Sequence, residues 1–285
     1  MNELEYLKQL RSLPLHEGAR GLEDDCAVLA IGEQTLVITH DMMAEGTHYL
    51  PDARMADVAW KLVSMNLSDL ASKGARPVGV ILGSSLGRED AEFLEGLRDA
   101  LLAYDVPLLG GDTIAALGAS TFAMTAIGEA THHPVPSRKG ARPGDGVFVT
   151  GTLGAAMLGF EGKTQYVDAF NRPRARLEEG YALVPHVTAM MDISDGLMLD
   201  AWRMANASSV TFRLNPELIP VADSARFDDC IRWGDDYELL FTCPHGLDLP
   251  VGAIRIGAVE ERRDAPIFLG GTPHAYAANL GYRHG

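Results

Sequence analysis

Seven aspartates, Asp24, Asp25, Asp41, Asp69, Asp112, Asp192 and Asp195, lie beside short apolar runs along a chain of 285 residues. Most adjoin Gly, Ser, Thr or another Asp, and strand-like residues lead into three of the five segments. Carboxylates held close together repel unless protons or cations offset them. A fold that gathers these side chains therefore calls for hard divalent cations, which take oxygen ligands and also grip phosphates. The expectation is a magnesium-dependent enzyme acting on phosphates.

The length suits one large domain or two modest ones with ample core. The formal charge of −15 argues against an electropositive surface for nucleic acid. It would also repel an anionic substrate unless bound metal inverted the local field. Cys26, Cys230 and Cys243 are too few and too scattered for a disulfide framework or a structural zinc site, which points to the cytoplasm. Met1 to Leu13 mixes Glu3, Glu5 and Lys8 among leucines, an amphipathic helix rather than a signal peptide. No apolar run approaches bilayer-spanning length, so a soluble protein with no membrane partner is expected.

The periodicity predicts a strand, a turn at Gly32-Glu33 and a second strand over Val28 to Ile38, ending at Thr39-His40-Asp41. Met55 to Ser72 reads as a helix on which Val58, Leu62, Met65 and Asp69 share a face. A strand at 78–82, a helix at 90–104 and a strand at 106–109 follow, the last running into a turn at Gly110-Gly111-Asp112. After a strand at 121–127, the stretch 131–145 collects prolines, glycines and basic residues and reads as a linker. The chain thus divides into 1–137 and 138–285. The second part opens with a strand at 147–150, then helices at 153–163 and 175–183 and a strand at 188–191. Ile193-Ser194-Asp195-Gly196 leads into a helix at 197–205, and strands at 210–214 and 238–242 flank a loop at 233–236. The class is α+β in two halves.

Asp41 at a strand end is a polar terminus or a ligand position at the mouth of a sheet. Asp112, after two glycines, sits in an ordinary turn or where backbone must approach a phosphate. Asp192 and Asp195 flank a helix start, which caps and binds anions alike. Asp69 lies in line with an apolar stripe and, if buried, requires a partner that metal would supply. His48 lies close to the Asp41 strand end, Arg138 at the domain boundary, and Tyr104 closes an amphipathic helix, where an aromatic ring is ordinarily core. Gly159 to Thr164 imitates the end of a P-loop, but Met157 stands where its first glycine belongs.

Six segments, taken together and in order, resemble thiamine-monophosphate kinase, of the aminoimidazole ribonucleotide synthetase-like superfamily. They are Glu23 to Leu29, Thr39 to His48, Asn66-Leu67-Ser68-Asp69-Leu70, Gly110-Gly111-Asp112-Thr113, Ile193 to Leu197 and Gly234-Asp235-Asp236-Tyr237-Glu238-Leu239. The resemblance implies an amino-terminal β-rich dimerisation domain, a carboxy-terminal α+β domain and a homodimer. It implies direct in-line transfer of the ATP γ-phosphoryl group to thiamine phosphate, the final step of thiamine diphosphate synthesis. By the same resemblance Asp25, Thr39, His40, Asp41, Asp69, Asp112, Asp192 and Asp195 would hold several Mg2+ ions, with Asp69, Asp112 and Asp195 catalytic. His40 or Thr39 would contribute through backbone oxygen. Tyr104, Gly111, Asp112, Arg138 and Ser194 would contact ATP, and His48, Asp235 and Tyr282 the thiamine phosphate, with Tyr276 as an alternative to Tyr282. The chain departs from the pattern at Asp235, where Glu is usual, at Trp233, which replaces a glycine, and between Phe160 and Arg174, which is abbreviated. Other superfamily acceptors, such as selenide or purine-pathway substrates, a non-catalytic nucleotide or metal regulator, and a structural acidic dimer remain alternatives.

Overall fold

The computed structural model describes residues 3–282 other than 88 and 116, so the first two residues of the expected amino-terminal helix lie outside it. The first half runs α1 (Glu3–Leu10), β1 (Ala27–Ile31), β2 (Gln34–Ala44), α2 (Met55–Ser72), β3 (Ala75–Leu86), α3 (Asp90–Ala103), β4 (Leu108–Ala115) and β5 (Thr121–Ala130). Its five strands pair in the order β1-β2-β5-β3-β4, with only β3 and β4 parallel, as their α3 crossover requires. Strand alternation buries one face: Val37, Thr39 and Met43 of β2 and Phe122, Met124 and Ala126 of β5. Leu62, Leu67 and Leu70 of α2 and Phe93 of α3 cover them. The opposite face has no such cover, and Met42, Val78, Ile81 and Leu108 are exposed.

The second half comprises β6 (Asp145–Val149), α4 (Ala155–Phe160), α5 (Val167–Asn171), α6 (Leu177–Leu183), β7 (Ala189–Asp192), α7 (Leu197–Ala207), β8 (Val210–Leu214), α8 (Phe227–Cys230), β9 (Leu239–Pro244), β10 (Ile254–Glu261), β11 (Ile267–Leu269) and β12 (Thr272–His274). Seven strands pair as β12-β11-β8-β10-β6-β9-β7. One face packs on α7; from the other, Met190, Leu239 and Phe241 join the core built around α2. Helix α2 is therefore shared by both halves, and it organises the site.

Three expectations need correction. Strand β2 does not end at Asp41: Met42 and Met43 continue the ladder against Ala123 and Phe122, because Met43 belongs to the buried alternation. Gly110-Gly111-Asp112 is not a turn but lies within β4, paired with Ile81, Leu82 and Gly83. A Cβ at residue 111 would stand 2.0 Å from the Leu82 carbonyl oxygen, so the glycine serves close strand approach. The helix expected over 153–163 is confined to α4, and β10 to β12 were not foreseen.

Candidate active site

Helix α2 carries its polar residues to the place where β2, β7 and the segment before β1 meet. Thr39 Oγ1 donates to Asp69 Oδ2, and Ser68 Oγ donates to Asp192 Oδ2 at 2.6 Å. Asn66, anchored by its amide to the Leu62 carbonyl at 2.9 Å, accepts the Asp41 backbone N–H at 3.2 Å. Carboxylate oxygens from Asp25, Asp69 and Asp192 lie within 4.8 Å of one another. Residues 167 positions apart in sequence thus share one cage.

Among the described residues, cations reach it at Asp25 and the neighbouring Asp24. Lys73, one turn after Asp69 and fully buried, places Nζ 2.7 Å from Asp24 and 2.6 Å from Asp25, and 3.3 Å from the Met190 carbonyl oxygen. Arg138 grips Asp25 through Nε at 2.9 Å and through Nη2, while Arg20 holds Asp24 at 2.5 Å. Burial alone would raise the Asp25 pKa, but Arg138 and Lys73 outweigh it and hold the group below the usual carboxylate range. The other three have no such help. Burial, then Asp25 and Asp195, pushes Asp41 up to about 6. Burial and then Asp25 pushes Asp192 to about 8 against the Ser68 hydrogen bond, and burial with Asp41, Asp192 and Asp25 drives Asp69 well above its ordinary value. An all-oxygen donor set whose members repel one another and lack enough built-in positive charge fits hard divalent cations.

Asp195 follows on a loop that a second buried carboxylate holds in place. Asp200 Oδ2 accepts the N–H groups of Ser194 at 3.1 Å and Asp195 at 3.0 Å. Arg203 Nη1 bridges Asp200 at 2.8 Å and Asp195 at 2.5 Å. The segment 233–237 lies against this loop: Asp235 N–H donates to the Ser194 carbonyl at 2.8 Å. Gly234, at φ +98°, approaches so closely that a Cβ would sit 2.4 Å from the Ser194 carbonyl oxygen. Asp235 itself meets Lys61 of α2 at 2.6 Å and the Tyr237 hydroxyl at 3.0 Å. Tyr282 N–H donates to the Asp195 carbonyl at 3.0 Å, bringing the closing aromatic residue beside the same loop.

The expected residues thus fall into two sets. Asp25, Thr39, Asp41, Asp69 and Asp192 meet directly or through one intervening group, with Arg138 on Asp25 and with Ser194 and Asp195 on the adjoining loop. Asp235 and Tyr282 stand against that loop, and the others lie apart. The His40 ring points to the opposite sheet face, exposed and 2.8 Å from the Thr125 hydroxyl, while its backbone runs in β2 between Thr39 and Asp41. Gly111 and Asp112 lie exposed on edge strand β4, three strands from β2 and about 14 Å away at ordinary strand spacing. His48 Nδ1 accepts the Ala44 N–H at 3.0 Å beyond the end of β2. The Tyr104 hydroxyl lies 3.1 Å from Ser64 Oγ and accepts from the Ala175 N–H at 3.0 Å, joining α2 to the segment before α6. Sequence reasoning missed Lys73, Lys61, Asp200 and Arg203. The available signal for the lysines was weak: Lys61 stands one turn after Asp57 and Lys73 one turn after Asp69, the spacing of ordinary surface pairs.

Residues 23–130 match the AIR synthase related protein N-terminal domain, and residues 140–251 match its C-terminal domain. The thiamine-monophosphate kinase of Salmonella typhimurium is 35% identical, over 88% of this chain and 85% of that protein. This chain belongs to the thiamine-monophosphate kinase family. Its relative in Methanospirillum hungatei is 32% identical over 86% of this chain and 88% of that protein. Among solved structures, AaThiL complexed with AMPPCP and TMP superposes with a TM-score of 0.87 at 27% identity, covering 99% of this chain and 97% of that one. Thiamine monophosphate kinase from Aquifex aeolicus gives 0.82 at 26% identity, covering 95% and 97%. The hydrogenase maturation protein HypE, at 22% identity and a TM-score of 0.68, shares the fold.

Proposed function

We propose that this protein phosphorylates thiamine phosphate with ATP by direct in-line transfer, giving thiamine diphosphate and ADP. ATP-dependent phosphorylation of thiamine phosphate follows from family membership and from likeness to a structure holding AMPPCP and TMP. The observation that carries the chemistry is the convergence of Asp25, Asp69 and Asp192 within 4.8 Å. A phosphate monoester has a second pKa of about 6 and is mostly ionised at neutral pH, so the acceptor needs no general base. The protein's task is to hold two anions in line and offset their charge. Asp25, Asp41, Asp69, Asp192 and Asp195 would hold Mg2+, which when bound supplies that offset. Thr39, Ser68 and Asn66 orient these carboxylates or their backbone, and Lys73 with Arg138 keeps Asp25 ionised. Asp235 and Tyr282 flank the Asp195 loop on the acceptor side.

The nucleotide side would be completed by a second copy. Gly111 and Asp112 lie exposed on the open sheet, away from their own cage, and a homodimer that covered this sheet would give Asp112 a place in a site shared between copies. Residues 1–137 would then form the dimerising, metal-binding domain and 138–285 the second domain. Three free, buried cysteines suit a cytoplasmic enzyme, and among the described residues no helix is long and apolar enough to cross a membrane.

Purified protein incubated with thiamine phosphate, ATP and Mg2+ should yield thiamine diphosphate and ADP in equal amounts by chromatography. A chiral γ-phosphoryl group should arrive inverted. Retained configuration would replace in-line transfer with a phosphoenzyme route, and no thiamine diphosphate at all would overturn the proposal.

A further inference from the structure

Beside the acceptor loop a set of aromatic rings is left without cover. Trp233 and Phe160 pack with ring centroids 5.1 Å apart and interplanar angle 41°, yet each remains more than a third exposed, at 37% and 39%. Single exposed apolar residues are ordinary, but these two are in contact and fixed from behind. Phe170 meets Phe160 edge-on at 5.3 Å, and Lys61 Nζ stands 4.0 Å over the Phe170 ring while binding Asp235 at 2.6 Å. The contacts close a circuit: Trp233 to Phe160, Phe170, Lys61 and Asp235, then back to Trp233 through Gly234. The wall therefore includes the carboxylate of Asp235 and is anchored on the Ser194-Asp195 loop through Gly234.

The acidic groups nearby are ion-paired: Arg232 reaches Asp228 at 3.7 Å and Arg226 reaches Asp229 at 3.0 Å, as Lys61 reaches Asp235. Asp228 and Asp229 precede Trp233 with side chains 78% and 58% exposed, and the Asp229 carbonyl accepts the Trp233 N–H at 3.0 Å. An indole face has the strongest affinity among side chains for an organic cation. Thiamine phosphate carries a permanently cationic thiazolium ring between its phosphate and its pyrimidine.

We infer that Trp233, braced by Phe160, is a specificity-determining residue that stacks on the cationic heteroaromatic ring of the acceptor. The inference rests on thiamine phosphate being that acceptor. It gives Trp233, one of the departures from the family pattern, a role in binding rather than in phosphoryl transfer. Phe160 and Phe170, which bound the abbreviated segment, supply the support that holds the indole in place.

The test combines kinetics with binding. Trp233→Ala should raise KM for thiamine phosphate about tenfold, leaving kcat within about twofold and KM for ATP unchanged, while Trp233→Phe recovers most of the loss. Independently of turnover, thiamine phosphate added with Mg2+ should quench tryptophan emission of the wild-type protein, since a cationic ring stacked on indole draws off its excited state. Trp60 and Trp202 remain in Trp233→Phe, so loss of the quench in that variant assigns it to Trp233. Should Trp233→Ala fail to fold, Trp233→Leu replaces it for the kinetics. Unaltered KM in the folded variant, or a quench that survives Trp233→Phe, overturns the inference. If the wild-type protein forms no thiamine diphosphate, the functional proposal falls instead, and the two failures are told apart.

Discussion

The carboxylate cage and the open face of the first sheet are built on opposite plans. In the cage each acidic group is fixed by a neighbour from a distant segment: Thr39 on Asp69, Ser68 on Asp192, Lys73 and Arg138 on Asp25. The open face presents Met42, Val78, Ile81 and all of β4 to solvent, with Gly111 and Asp112 among them. One region is packed and cross-linked within the chain and the other lies open to solvent. Burial makes the cage costly to perturb; the exposed sheet face should tolerate more.

The largest effect is expected inside the cage. Asp69→Asn should lower kcat by about 10²–10³-fold, the range for losing one preorganised electrostatic group, with circular dichroism and melting temperature little changed. Normal turnover would remove Asp69 from the chemistry. Asp112→Asn should be comparably impaired although its side chain lies on the other region, and mixing it with Asp69→Asn discriminates the two plans. If Asp112 acts across a two-fold dimer, reassociated mixtures should regain about a quarter of wild-type activity. No recovery after verified subunit exchange would place Asp112 in its own chain's site.

Stability should differ in the same sense. Lys73→Met leaves Asp24 and Asp25 buried without their shared ammonium, so urea unfolding should show a loss of about 3–5 kcal/mol. Mg2+ should raise the melting temperature of the wild-type protein and a chelator reverse it, because a ligand that binds only the folded cage stabilises it by mass action. Asp69→Asn should blunt that response. The smallest change should come from Tyr104→Phe, which removes hydrogen bonds to Ser64 and Ala175 and should cost about 1 kcal/mol.

The same contrast decides what was legible in the sequence. Asp25, Asp41, Asp69, Asp192 and Asp195 stood out because each adjoins a short apolar run, and α2 matched its expected bounds because Val58, Leu62 and Met65 recur at helical spacing, although burial extends nearly all round the helix. Lys73 and Lys61 did not, since a basic residue on a helix is ordinarily solvated, and the groups that bury them come from distant segments: Asp24, Asp25 and Met190 for Lys73, Phe170 and Asp235 for Lys61. Asp200 reads as a first-turn helix acid until its oxygens are seen to accept the Ser194 and Asp195 N–H groups. Strands β11 and β12, at three residues each, are too short to show a period, although Ile254-Arg255-Ile256 in β10 does alternate. Glycines 110 and 111 suggested a turn because nothing in the sequence reveals how closely β3 would approach.

Lys73 has a bearing on relative motion within the molecule. Its ammonium rests on Asp24 and Asp25 from one half of the molecule and on the Met190 carbonyl from the other. A hinge that parted α2 from β7 would expose this buried ammonium to water and pull it away from one of its anchors. One charge thus pins the two halves together at their centre.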